Sequence, residues 1–397
     1  MNKQTTPTLL DEVVNRREAP ALKVHPSVLG EQNEDLFAAG VADMDFKIPS
    51  VILDHLGKRL AHGIFGYEAV PDDLFPVLTR WLAERHGWVV NERDILRAPN
   101  ILNALAIAAN LFSEEGDGVV VQPPVFFDFF DIIRENNREL ITNPLSLENG
   151  HYRMDFADLE NKTSDPRVKI IYLCNPHNPV GRVWGFDELK TLGDICQRNG
   201  VLVVSDEMHG DLVYSGHKYI PFASLGTDYS RNCITCLSPA KTFNIASCCC
   251  AFTVVADDAM RQAFQTENSR LTVNKNNAFS SVAMQAAYSY GSDWLDNVMN
   301  YLENNVALVK RYLHDISEVR LIEPEGTFLL WLDFRELNLP PDDLIEFLRE
   351  KAKWAITRGH AFGEEGNGFV RLNIACTSKK LEDALQNLEL AVKHLGE

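Results

Sequence analysis

No stretch of this chain stays apolar for the length that crosses a bilayer, so no membrane-spanning helix and no membrane partner is expected. The opening, Met1 to Glu12, is polar and then acidic. It lacks the basic start and apolar stretch of a signal peptide, which makes the cytoplasm the expected location. Basic charge is scarce too: 38 lysines and arginines stand against 56 acidic residues, a net charge of −18. A surface that negative repels polyanions, and nucleic acid is not expected as a partner. No G-x-G-x-x-G joins a strand to a helix, which removes the usual sign of a dinucleotide-binding dehydrogenase. Internal repeats and low-complexity tracts are absent as well.

The eight cysteines do not suit a secreted disulfide framework, because three are adjacent at Cys248, Cys249 and Cys250. Cys233-Ile-Thr-Cys236 has the spacing of a zinc or redox pair, but a second ligand pair is missing and the surrounding residues alternate like a strand. Inert buried thiols are expected there, and no metal site.

What the chain does contain is an alternation of apolar runs and helical patterns. Gly118 to Gln122, Val168 to Cys174, Val201 to Ser205 and Cys233 to Leu237 read as short strands buried on both faces. Phe186 to Asn199 reads as a helix closed by Gly200. The pattern predicts an α/β fold with a mostly parallel central sheet flanked by helices. Polar residues follow each run directly, and ligands of open α/β sheets bind beyond the carboxyl ends of the strands. The last third changes character. Helices over Asp293 to Leu313, from Pro340-Pro341 and over Lys379 to His394 alternate with strands at Phe328 to Leu332 and Val370 to Ala375. This predicts a smaller α+β domain. The expected division is an N-terminal segment at 1–46 packing with the small domain, a large domain at 47–285 and the small domain at 286–397.

Four segments carry the chemistry: Asn175-Pro-His-Asn-Pro-Val-Gly181, Ser205-Asp-Glu-Met-His209, Ser238-Pro-Ala-Lys241-Thr-Phe-Asn244 and Phe369-Val-Arg371-Leu-Asn373. In this order they resemble the fold-type I, pyridoxal-phosphate-dependent aminotransferase class I/II superfamily. Val41-Ala-Asp-Met-Asp-Phe46, His62-Gly-Ile-Phe-Gly-Tyr67 and Gly363-Glu-Glu-Gly-Asn-Gly368 narrow the resemblance to its cystathionine β-lyase-like carbon–sulfur lyases, the MalY/PatB type. The likeness runs from about Val14 to the C-terminus.

Pyridoxal 5′-phosphate needs a lysine amine to condense with its aldehyde, and the resemblance assigns that part to Lys241. The cofactor draws electrons only while its ring nitrogen stays protonated. A carboxylate nearby favours that form, and Asp206, just past an apolar run, fits. The amide of Asn178 can donate to the cofactor's phenolic oxygen, and Asn178 also borders the substrate. Ser238 suits the phosphate, as do main-chain amides at Ile101 and Leu102, where a helix starts after Asn100. The resemblance further matches Phe126 with the aromatic stacked on the ring. It matches His209 with a cofactor contact typical of the lyase branch, and Arg371 with the clamp on the substrate α-carboxylate. Tyr67 matches a tyrosine that reaches the phosphate from the neighbouring subunit, which implies a homodimer.

Three places depart from that pattern. Ala21-Leu22-Lys23-Val24-His25 lacks the usual aromatic and acid near the substrate entrance, the run Cys248 to Cys250 replaces a stretch poorer in cysteine, and Cys249 stands where many aminotransferases have a phosphate-binding arginine. The expected activity is β-elimination from cystathionine or another cysteine S-conjugate, giving a thiol, pyruvate and ammonia, with Lys241 as the base at Cα. An aminotransferase would use the same residues and remains the alternative. A non-catalytic regulator is a minor one: about forty residues precede the shared region, too few for an added DNA-binding module.

Overall fold

Valine and isoleucine dominate the short runs that build the main sheet of this computed structural model, in which residues 9–31, 34–275 and 277–395 are described. The strands are β1 (Ile95–Ala98), β2 (Gly118–Val121), β3 (Glu139–Thr142), β4 (Val168–Cys174), β5 (Leu202–Asp206), β6 (Cys233–Leu237) and β7 (Ala251–Val254). Their order is β1-β7-β6-β5-β4-β2-β3. β7 runs antiparallel to both neighbours, and the other pairings are parallel. β2, β5 and β6 are buried along their whole length, as an α/β sheet covered on both faces requires.

β4 and β6 lie where the apolar runs predict them. β5 extends one residue beyond its run, because Asp206 still pairs with Cys174 and Cys236 and its carbonyl accepts from Asn175 N at 2.9 Å. The Phe186–Asn199 helix ends at Gly200, whose φ of 67° is the left-handed closing geometry that glycine takes at low cost. β1, β3 and β7 were not legible as strands; β3 is half exposed, so its apolar run is broken.

The chain divides into two compact units, one formed by Ile48–Leu295 with Glu325–Thr327, the other by Met1–Lys47, Asp296–Pro324 and Phe328–Glu397. The second contains an antiparallel sheet ordered Arg320–Leu321, Leu329–Asp333, Phe369–Asn373, Thr357–Arg358. Its helices include Pro341–Glu350 and Ser378–Leu395. Phe37–Ala38 adds in parallel to Trp354–Ala355, which draws the N-terminal segment into this unit.

Among the described residues no helix is long and apolar enough to cross a membrane. Cys233 and Cys236 are buried free thiols, and burial pushes both up from the ordinary thiol range.

Candidate active site

Parallel pairing sets the ends of β4, β5 and β6 side by side: Cys174 is opposite Asp206, and Asp206 opposite Cys236. The segments that leave these ends therefore emerge along one edge of the sheet, where open α/β sheets bind ligands. A cavity of about 210 Å3 opens at this edge. Asp206, Ser238, Lys241, Phe126, Ile101 and Leu102 all line it, and so do Met208 and Cys250. Asn178 and His209 are buried but do not contribute to the lining. Tyr67 is fully exposed and does not reach the cavity of its own chain.

One wall is the start of the Ile101–Phe112 helix. Asn100 caps it by accepting from Asn103 N at 2.8 Å. The amides of Ile101 and Leu102 belong to the first turn, where a helix supplies no acceptor of its own, and the helix dipole makes this end attractive to an anion. Phe126 supplies an aromatic wall.

Asp206 is 6% exposed. Its Oδ1 accepts from Met208 N at 3.0 Å. Burial is the largest influence on this carboxyl and raises it to about 6, while the Met208 amide and the charge of Lys241 pull the other way. Lys241 sits on the single turn Pro239–Thr242, started by Ser238, whose Oγ accepts from Ala240 N at 3.1 Å and donates to the Cys250 carbonyl at 2.6 Å.

Behind Lys241 lies a cluster that the sequence did not reveal. Thr242 Oγ1 donates to Asp211 Oδ2 at 2.8 Å. Trp81 Nε1 and His86 Nε2 reach Asp211 Oδ1 at 3.0 and 2.7 Å. Burial pushes the Asp211 carboxyl up, but His86, Thr242 and Trp81 outweigh it and hold the carboxyl below its ordinary value. Asp211 thus fixes the residue next to Lys241. Glu207, beside Asp206, is also buried; it accepts from Ser205 Oγ at 2.7 Å, from Phe222 N at 2.9 Å and from the Tyr219 hydroxyl. Burial raises it to about 7, so the strand end carries two carboxyls that are costly to ionise.

Arg371 belongs to the other unit, in the middle of the Phe369–Asn373 strand. Its Nη2 donates to the Gly40 carbonyl at 2.8 Å, and its guanidinium carbon lies 4.9 Å from the centre of the Phe362 ring. The Gly40 segment is itself anchored. Asn373 Nδ2 donates to the carbonyls of Val41 and Asp43 at 2.8 and 2.7 Å. Asp43 and Asp45 are held by Arg16 and the buried Lys23, and Asp45 also by Lys380 at 2.7 Å. Lys23, from the stretch that departs from the usual pattern, is therefore a structural cation of this network.

The donor set of the cavity fits pyridoxal phosphate: an amine for the aldehyde, a buried carboxylate for the ring nitrogen, an aromatic wall for the ring and a helix start for the phosphate. The family model for aminotransferase class I and II matches residues 71–388. This chain belongs to that family. It is 40% identical to the cystathionine β-lyase PatB of Bacillus subtilis over 359 residues, covering 90% of this chain and 93% of the relative. Among solved structures, cystalysin from Treponema denticola, which contains a pyridoxal 5′-phosphate cofactor, superposes with a TM-score of 0.93 at 30% identity, covering 97% of this chain and 99% of that one. The pyridoxal-phosphate-bound C–S lyase from Staphylococcus hominis gives 0.89 at 29%, covering 96% and 98%. The fold is the one the resemblance implied, fold type I with its mostly parallel sheet.

Proposed function

We propose that this chain is a pyridoxal-phosphate-dependent carbon–sulfur β-lyase. It cleaves cystathionine or a related cysteine S-conjugate to a thiol, pyruvate and ammonia. The observation that carries the reading is one cavity shared by Lys241, the buried Asp206 and the helix start at Ile101, in a family member 40% identical to a cystathionine β-lyase.

When bound, the cofactor supplies a sink for the electrons released at Cα. Asp206 holds a proton at its ring nitrogen: an ionised carboxylate in a buried site gains most when a cation takes the place of water. The Lys241 amine would hold the cofactor through its aldehyde and, when free, would take the proton from the substrate Cα. The amides of Ile101 and Leu102, with Ser238, hold the phosphate, and Phe126 covers the ring. Asn178 would donate its amide to the phenolic oxygen, and His209 would take the cofactor contact that the resemblance to the lyase branch implies. Arg371 grips the substrate carboxylate with parallel donors. Tyr67, exposed in its own chain, serves the phosphate of a partner subunit in a homodimer. The location proposed is the cytoplasm.

Purified holoenzyme given L-cystathionine without a keto acid is expected to release pyruvate and thiol. Aminotransfer that begins only when a keto acid is added, with no pyruvate before it, would replace this reading with the aminotransferase one.

A further inference from the structure

Arg371 is fixed on two sides by groups from different parts of its unit. Thr357 is its direct cross-strand partner in the antiparallel pairing with Thr357–Arg358. Thr357 Oγ1 donates to the Gly40 carbonyl at 2.8 Å and accepts from Arg371 Nη2 at 3.3 Å. The same Nη2 donates to the same Gly40 carbonyl at 2.8 Å. Hydroxyl, carbonyl and guanidinium thus close a triangle along one edge of the arginine plane. The plane's face is set by Phe362, which is fully buried and meets Trp331 edge-on at 5.5 Å.

Phe362 in turn depends on a close backbone crossing. A Cβ at Gly359 would lie 2.1 Å from the Gly366 carbonyl oxygen, and one at Gly366 would lie 2.0 Å from that of Gly359. Glycine at both positions lets the Gly359–Phe362 turn seat against the next one. The result is an arginine whose edge and face are both held before any substrate arrives. Such ordering removes a cost that binding would otherwise carry.

We propose that Thr357 is a positioning residue for the substrate carboxylate. Its hydroxyl fixes the rotation of the Arg371 guanidinium against Gly40, so that the guanidinium plane keeps one orientation. This inference rests on the reading of Arg371 as the carboxylate clamp. A carboxylate is taken bidentately only by a fork already in plane with it, and a fork free to turn loses that advantage.

The test is Thr357→Val against Thr357→Ser in the holoenzyme. Valine keeps the shape and the strand preference and removes the hydroxyl. With valine, KM for L-cystathionine is expected to rise about tenfold, the scale of one net hydrogen bond, while kcat stays within about twofold. Serine should restore KM. An S-substituted cysteamine, which has the amine and sulfur but no α-carboxylate, should bind both variants and wild type equally in a spectral titration. An unchanged KM in Thr357→Val overturns the proposal. So does an equal loss for the carboxylate-free amine, which would mean general loosening. If valine prevents folding, Thr357→Ala against Thr357→Ser gives the same contrast. Arg371→Lys separates the two layers: if it raises KM and Thr357→Val does not, Thr357 alone is misassigned; if it leaves KM unchanged, the clamp itself fails.

Discussion

In the Ile48–Leu295 unit the buried carboxyl Asp206 receives one backbone amide, at 3.0 Å, and the charge of Lys241. In the other unit Asp45 receives Arg16, Lys23 and Lys380. Burial disfavours both charges. For Asp206 it wins, and the carboxyl rises to about 6; for Asp45 the lysines outweigh it, and the carboxyl falls below its ordinary value. Burial therefore leaves the first carboxyl easier to protonate than usual, and the ion pairs around the second keep it charged. A carboxyl raised by burial at a strand end marks a candidate functional site, whereas one held by several cations belongs to a structural network.

The largest effect should come from removing Lys241. Lys241→Ala is expected to lower turnover about a thousandfold or more, the scale of a lost proton-transfer group, and to abolish the visible absorbance of lysine-bound cofactor. Its melting temperature without cofactor should match wild type; a large drop would mean that the lysine is structural.

Asp206→Asn sharpens the contrast, since it should harm activity and help stability. Turnover is expected to fall about a hundredfold, because asparagine cannot hold the ring-nitrogen proton as an ion pair. The native carboxyl titrates higher than the unfolded one, so the native state binds more protons between about pH 4 and 6. Stability is therefore greatest below the unfolded value and is lost as pH rises through that window. Replacing Asp206 should then stabilise the cofactor-free protein by on the order of 2 kcal/mol at pH 8, and by little below pH 4. Denaturant titrations at the two pH values measure this.

Asp45 runs in the opposite sense. Its contribution is present above about pH 4 and lost as pH falls, because the native carboxyl titrates lower than the unfolded one. Lys23→Met should cost about 2 kcal/mol, since two carboxylates lose a buried cation while Arg16 and Lys380 remain. In acid, hydrogen exchange should rise first at the Phe37–Ala38 pairing with Trp354–Ala355. Equal protection there and in β5 would remove the contrast. The smallest effect is Arg371→Lys, which is expected to raise KM about tenfold by replacing a fork with a point charge.

Much of the main sheet could be read from the chain because β4, β5 and β6 are buried on both faces and leave unbroken apolar runs. β3 escaped because exposure breaks its run, and β1 because Arg97 interrupts it. Asp206, Ser238, Lys241, Ile101 and Leu102 could be picked out because each sits at a strand end, in a turn or at a helix start, and Phe126 only through the family resemblance; all six line one cavity. Asp211 was not: its partners Trp81 and His86 lie more than a hundred positions earlier, and nothing local distinguishes it from other loop acids. Tyr67 is exposed in its own chain, and the role proposed for it belongs to a second copy.

The most direct test concerns Lys241 itself. Reduce the holoenzyme with borohydride, digest it and locate the pyridoxyl group by peptide mass spectrometry. The group is expected on the lysine of Ser238-Pro-Ala-Lys241; a group on any other lysine, or on none, would contradict the role proposed for Lys241.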